Sequence, residues 1–167
     1  WADYECTFPE LSQNTTLYGH NWHNIYTPRT QANMQANDLM FSLVMSYNYT
    51  DFAQGNPFVY FSTTEQDYVF QVFASYYTDL NFGYNYAQMS QEDFQKVIAE
   101  AKAKSLSNYN VPVTSEDKIV TLSTCTRVHG NTNNQRFVVM AKLVPVGTPS
   151  TTISTHSNPI AYNSSRS

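Results

Sequence analysis

The alternation of apolar and polar positions along the chain predicts strands over most of its length. Residues 117–125 (Asp-Lys-Ile-Val-Thr-Leu-Ser-Thr-Cys) place Ile119, Thr121 and Ser123 on one face and Val120, Leu122 and Thr124 on the other, a β-branched run that reads as a strand. After a polar turn, residues 136–144 read as its neighbour. Upstream, Trp1 to Glu5 and Thr15 to His20 read as short strands, separated by a turn-rich stretch through Pro9, Ser12 and Asn14. Phe58 to Thr63 and Gln66 to Thr78 are aromatic-rich strands, and their junction at Thr64-Glu65 is the tightest hairpin signal in the chain.

Two stretches follow a helical period instead. Between Asn33 and about Tyr49, Met34, Leu39, Met40, Leu43, Val44 and Tyr47 recur at three- and four-residue spacings, predicting an amphipathic helix with a core-facing stripe. Gln54-Gly-Asn-Pro57 ends it. Ser90-Gln-Glu-Asp93 has the form of a capping box, and Phe94, Val97, Ile98 and Ala101 mark the stripe of a second helix running to about Ser105. The expectation is one mostly β domain over residues 1–147, with one helix after the loop that follows His20 and one before the Cys125 strand. Residues 148–167, rich in Thr, Ser, Asn and Pro, read as a polar tail without a core of its own.

Composition narrows the class. At 167 residues the chain suits one domain. Charged residues are only 13% while Tyr and Phe number 13 and 10, so the surface relies on Asn, Gln, Ser and Thr, as in secreted proteins. A net charge of −4, with nine basic residues scattered along the chain, lacks the clustered basic footprint of a nucleic-acid binder. No run of 18 apolar residues and no charged-then-apolar amino terminus is present, so the piece holds neither a transmembrane helix nor a signal peptide. Asn14-Thr-Thr, Asn48-Tyr-Thr and Asn163-Ser-Ser fit the glycosylation pattern, a match short enough to recur by chance.

Cys125 falls at the carboxyl end of its strand, where strands deliver side chains to sites. A free cysteine is commonly a small buried hydrophobe, so the thiol needs a base and an oxyanion partner before it means chemistry. Leu17-Tyr-Gly-His20 offers an imidazole, and Arg136 opens the following strand. A disulfide from Cys125 to Cys6 would consume the thiol; Cys6 reads as a partly buried residue without function.

Thr-Leu-Ser-Thr-Cys125, Leu-Tyr-Gly-His20 and Arg136-Phe-Val-Val resemble the three signature motifs of the sortases, cysteine transpeptidases of Gram-positive cell surfaces, and occur in the family's order. The resemblance covers Trp1 to about Val146 and implies a β-barrel with inserted helices; the full helix before the cysteine strand resembles class B. Cys125 would attack a scissile carbonyl, His20 would protonate the leaving amine and later deprotonate the incoming one, and Arg136 would face the oxyanion. The backbone amide of Thr126 and the hydroxyl of Thr124 are candidate further donors. Leu122 joins them as a substrate-side residue, and the loop from Leu106 to Val113, through Ser107, Asn108 and Tyr109, is expected to form one wall of the signal groove. The resemblance calls for no metal and no cofactor. Its partners would be a sorting signal of the form Asn-Pro-x-Thr on a secreted protein and an amino group of a peptidoglycan precursor. The enzyme would act at the extracellular face of the membrane, anchored by a segment absent from this piece.

Several alternatives stay open. The same residues serve a peptidase that releases the acyl group to water, and an aromatic content of 15% also suits a non-catalytic Tyr-rich binding module. Arg127 competes with Arg136 for the guanidinium role, while His23, His129 and His156 read as exposed polar residues. Asn158-Pro-Ile-Ala161 either imitates a sorting signal or holds a chance Asn-Pro. Only two strand-like runs precede the His20 loop, where the family has four, so the amino-terminal strands of the barrel look to be missing, with a retained fragment, a partner copy or the tail as candidates to fill the gap.

Overall fold

The structure, a computed structural model, describes residues 1–163. Its frame is a five-stranded sheet of β1 (Asn14–Gly19), β2 (Phe58–Ser62), β3 (Asp67–Asp79), β5 (Ile119–Cys125) and β6 (Gln135–Val144), in the order β1-β5-β6-β3-β2. The sheet curls as an open half-barrel with β1 and β2 at its edges. β1 and β5 run parallel; every other neighbouring pair in it is antiparallel. The hairpin between β2 and β3 turns at Thr64-Glu65, where the Thr63 amide donates to the Gln66 carbonyl at 2.9 Å and the Thr63 hydroxyl accepts from two amides.

Burial follows from β-branched and aromatic side chains on both faces of the central strands. Phe70, Tyr76, Ile119, Val120, Phe137, Val139 and Met140 are all but inaccessible to water. Helix α2 (Gln91–Lys104) lays Phe94, Ile98 and Ala101 against β3, and its start is fixed by the Ser90 hydroxyl accepting from the Asp93 amide at 3.1 Å. Glu92 and Asp93 in the first turn and Lys102 and Lys104 in the last match the helix dipole.

The expected long helix over 33–49 does not form. In its place are two 3-10 segments, Gln31–Asn33 and Met40–Asn48, and a short helix α1 (Thr50–Gly55). Asp38 sits at the break: its carboxylate accepts from the Gln35 amide at 2.8 Å and pairs with Arg29 at 3.1 Å, offering the backbone a turn that competes with helix. Met40 then takes a left-handed φ of 59°, and Leu39 and Met40 face solvent. Met45 and Tyr47 are buried, so the core-facing part of the stripe starts later than its spacing suggested. Trp1 to Glu5 is likewise not a full strand. Residues 1–3 run along the outer edge of β1 with a single bridge from Ala2 to Leu17, after which the Asp3 side chain takes the Glu5 amide and turns the chain away.

The carboxyl-terminal stretch is docked on the domain. Ile153 is buried in the main core, and β7 (Ser154–Thr155) pairs with β4 (Ser107–Asn108). Farther on, the ammonium of the buried Lys104 donates to the carbonyls of Ala161 and Tyr162. Asn158-Pro-Ile-Ala161 therefore lies at the end of α2, where the Ile160 amide meets the Ala103 carbonyl at 2.9 Å. Residues 164–167, including the serines that complete the Asn163 pattern, lie outside the described residues.

Candidate active site

Topology brings the chemistry together. Because β1 and β5 are parallel, their carboxyl ends emerge side by side: Gly19 pairs with Thr124, and His20 and Cys125 follow each by one residue. Because β6 is antiparallel to β5, its first residues return to the same end, and Arg136 is the register partner of Cys125. The three residues line one cleft of about 470 Å³, together with Trp1, Tyr18, Ser123, Thr124 and, after β3, Leu80, Phe82, Tyr84 and Asn85.

Gly19 in the Leu-Tyr-Gly-His stretch has a steric reason. A Cβ there would stand 2.3 Å from Phe41 Cγ, because the Phe41 amide bonds to the His20 carbonyl at 3.1 Å and brings that ring onto the glycine. The His20 ring is exposed and lies against two indoles, Trp1 at 5.1 Å and Trp22 at 5.2 Å between centroids. Asn21, buried, ties the loop after His20 to β5 by donating to the Cys125 carbonyl at 3.3 Å. Cys125 is a free thiol and half-buried. Arg136 donates to the carbonyls of Asn133 and Gln135 through Nη1. Within the cleft lining the Tyr84 phenol and the Ser123 hydroxyl are 2.8 Å apart; burial above all holds the phenol protonated, with the Ser123 hydrogen bond and the Arg136 charge opposing it. Tyr18 donates to Asp3 at 2.7 Å and accepts from Asn85 at 2.9 Å, and burial raises its pKa too.

Other expected residues fall elsewhere. Thr124 reaches the cleft, but its hydroxyl is committed to the Gly19 carbonyl at 2.7 Å. Thr126 is buried with its amide bonded to the Gln135 carbonyl at 3.3 Å, so neither group is free to meet an oxyanion. Leu122 is packed against the core, outside the cleft lining. Ser107, Asn108 and Tyr109 line a separate cavity with Phe73 and Lys102, because the buried Tyr109 phenol is drawn onto Ser75 of β3 at 2.8 Å and β4 is held by β7. The loop over 106–113 is therefore not a wall of this cleft. Arg127 is directed to Thr126 and Asn133 and does not line the cleft either.

Of the remaining histidines, His23 and His129 are exposed as expected, whereas His156 is half-buried. His129 stacks on Tyr162 at 4.5 Å and meets the edge of Tyr77 at 4.7 Å, and burial depresses its pKa. His156 Nδ1 lies 2.7 Å from the Ser105 carbonyl, while His23 stands near Asp38. Cys6 is a free thiol that accepts from the Thr16 amide at 3.3 Å, its pKa pushed up by burial. The residues missed by sequence reasoning are Tyr18, Tyr84, Asn85 and Asn21, whose placement depends on contacts made far along the chain. A polar residue beside a motif, as Asn21 is, was the one local signal. Among the described residues, no group of three or more His, Cys, Asp or Glu is placed to hold a metal ion.

A cysteine, a histidine and an arginine from three strand ends, gathered at one rim of a curled, mostly β sheet, define a sortase. The family model described as Sortase domain matches residues 1–144, and the chain belongs to that family. Within it the chain is similar to sortase B. Sortase B of Staphylococcus aureus (strain NCTC 8325 / PS 47) is 30% identical over 147 residues, a match covering 87% of this chain and 54% of that protein. A solved Staphylococcus aureus sortase B–substrate complex superposes with a TM-score of 0.70 at 30% identity, covering 87% of this chain and 62% of the other. A sortase B complexed with triglycine gives 0.69 at 30% identity, again over 87% and 62%. The chain spans about half the length of the curated relatives it matches.

Proposed function

We propose that the chain is the catalytic part of a class B sortase-type transpeptidase, cleaving a sorting signal through a thioacyl intermediate on Cys125 and transferring the acyl group to an amine. The observation that carries this reading is the convergence of Cys125, His20 and Arg136 on one cleft, from positions far apart in the chain, in a member of the sortase family. The thiolate of Cys125 adds to the scissile carbonyl, and the guanidinium of Arg136 stabilises the oxyanion that forms. Collapse of this tetrahedral adduct breaks the C–N bond, and His20 as the acid gives its proton to the departing amine, leaving a thioester. An incoming neutral amine then attacks the thioester, His20 takes the proton it loses, and the new amide departs with the thiolate of Cys125 restored. The apolar walls at Leu80 and Phe82 suit a peptide side chain beside the reacting bond.

The substrate class follows from similarity: a signal of the form Asn-Pro-x-Thr and a cell-wall amine, met at the outer surface of the membrane. Binding of a substrate and of triglycine by the similar sortase B proteins supports it. No helix among the described residues is long and apolar enough to cross a membrane. The test is to incubate the protein with Asn-Pro-x-Thr peptides, with and without triglycine, and analyse the products by mass spectrometry. The expected result is a transfer product that requires both the amine and Cys125, with a thioester adduct trapped on Cys125. Cleavage by the Cys125→Ala variant would overturn the reading, and release to water alone at saturating amine would reduce it to a peptidase.

A further inference from the structure

The imidazole of His20 is the boundary of the cleft. On one side lie the thiol, the guanidinium and the walls from Leu80 to Asn85; Trp1 reaches this lining, whereas Trp22 rests on His20 outside it. Trp22 is 67% exposed, a large apolar investment in solvent directly beside the imidazole of His20. Nor is Trp22 a loose loop residue. The neighbouring Asn21 is buried and bonded to the Cys125 carbonyl, and its carboxamide oxygen accepts from the Asn24 amide at 2.9 Å, so the turn that presents Trp22 is tied to the nucleophile strand.

An acceptor must reach the thioester past His20, since His20 is the group that takes its proton. Primary amines reach the site largely as ammonium ions at neutral pH. The face of an indole attracts a cation within about 6 Å, and tryptophan does so best among the aromatic residues. The net charge of −4 puts no general barrier in the way of a cation. Resting on the transpeptidase reading above, we propose that Trp22, with Trp1, forms the acceptor subsite, holding a primary ammonium against the His20 ring. There the neutral imidazole removes one proton, the freed amine attacks the thioester, and the second proton the nitrogen loses leaves on the departing sulfur, giving the Cys125 thiol. This makes the indoles determinants of the choice between amine and water, a role separate from cleavage.

The experiment compares the wild type with Trp22→Ala and Trp22→Phe, using a signal peptide, a range of triglycine concentrations, and hydroxylamine as a nucleophile uncharged at neutral pH. Loss of the cation–π contact is expected to raise the apparent KM for triglycine about three- to tenfold and to lower the ratio of transfer to hydrolysis. Trp22→Phe should recover much of the loss, and hydroxylamine should respond far less than triglycine. A merely structural defect would slow transfer and hydrolysis in proportion, leaving the ratio unchanged, and that outcome overturns the proposal, as does an equal loss with hydroxylamine. If the wild type neither cleaves nor transfers, the transpeptidase reading fails. The subsite is then decided by titrating glycine amide and following the Trp22 indole Nε1–H resonance, where no shift overturns it.

Discussion

Gly19→Ala tests the steric account of the motif around His20. The added Cβ would lie 2.3 Å from Phe41 Cγ, 2.5 Å from Cδ1 and 2.8 Å from Cβ, against an ordinary carbon–carbon separation of about 3.5–4.0 Å. Turning the Phe41 side chain about χ1 moves Cγ and Cδ1 but leaves its Cβ in place, so the backbones must part by roughly 1 Å as well. Phe41 is held by the hydrogen bond from its amide to the His20 carbonyl, and separation therefore pulls on His20 itself. Overpacking of this kind costs about 2 kcal/mol. For a chain of this size that lowers Tm by about 4–8 °C. A shift of His20 of the same order should reduce turnover by about 10²-fold. The assays are urea and thermal denaturation and signal-peptide turnover for Gly19→Ala, Phe41→Ala and the double variant. Removing the ring should relieve part of the clash, with a coupling of about 0.5–3 kcal/mol between the two changes. Wild-type stability and turnover in Gly19→Ala, or strict additivity in the double variant, would refute the reasoning.

Arg136→Lys should lose most of the activity, and Arg136→Ala about 10²–10³-fold in turnover, since an ammonium cannot reproduce the guanidinium fork. Arg127→Ala, which alters a side chain outside the cleft, should stay near wild type in the same peptide assay; the reverse pattern would exchange their roles. The depressed pKa of His129 means that the unfolded chain takes up its proton first as pH falls. The stability it supports is full above the ordinary histidine value of about 6.5 and is lost as pH drops through the lower folded value. Urea midpoints between pH 8 and 5 should show that loss in the wild type and not in His129→Phe, which keeps a ring against Tyr162. Lys104→Met removes the ammonium held between α2 and the carbonyls of Ala161 and Tyr162, at a cost of about 1–3 kcal/mol. Limited proteolysis should then cut the carboxyl-terminal stretch sooner than in the wild type.

Elements whose cause is local were legible in advance. The Thr64-Glu65 hairpin, the Ser90 cap and the strands carrying Cys125 and Arg136 depend on residues within a few positions of one another, and each stands where its pattern put it. The segment around Leu39 and Met40 has a helical period, but the Asp38 turn and the pull of His20 on Phe41 are tertiary facts with no trace in the spacing. Tyr109 illustrates the same limit at the site level: a polar, aromatic loop looks like a binding wall until its phenol is found on Ser75 inside the core. The polar stretch after Gly147 holds few apolar residues, yet Ile153 in the core and Lys104 at the end of α2 suffice to hold it down. Cys125, His20 and Arg136 could be singled out early as a candidate set because motif glycine and strand-end positions carry strong local constraints, and the fold brings the three to one cleft. Tyr84 and Asn21 could not, because their partners lie 39 and 104 residues away.

The parallel pairing of β1 with β5 makes the register of two strands a functional quantity. A slip of two residues would return every side chain to its own face, so burial of apolar surface does little to forbid it. Yet it would carry His20 about 6.6 Å along the strand from Cys125, far beyond proton-transfer reach. Two polar clasps stand against that error, one at each end of the pair. The buried Thr121 hydroxyl donates to the Asn14 carboxamide at 2.7 Å, and the Thr124 hydroxyl donates to the Gly19 carbonyl. Misaligned, each would leave a buried polar atom without a partner. Like the teeth of a zip, these hydroxyls permit one alignment, and the spacing of His20 and Cys125 is set by hydrogen bonds that involve neither side chain.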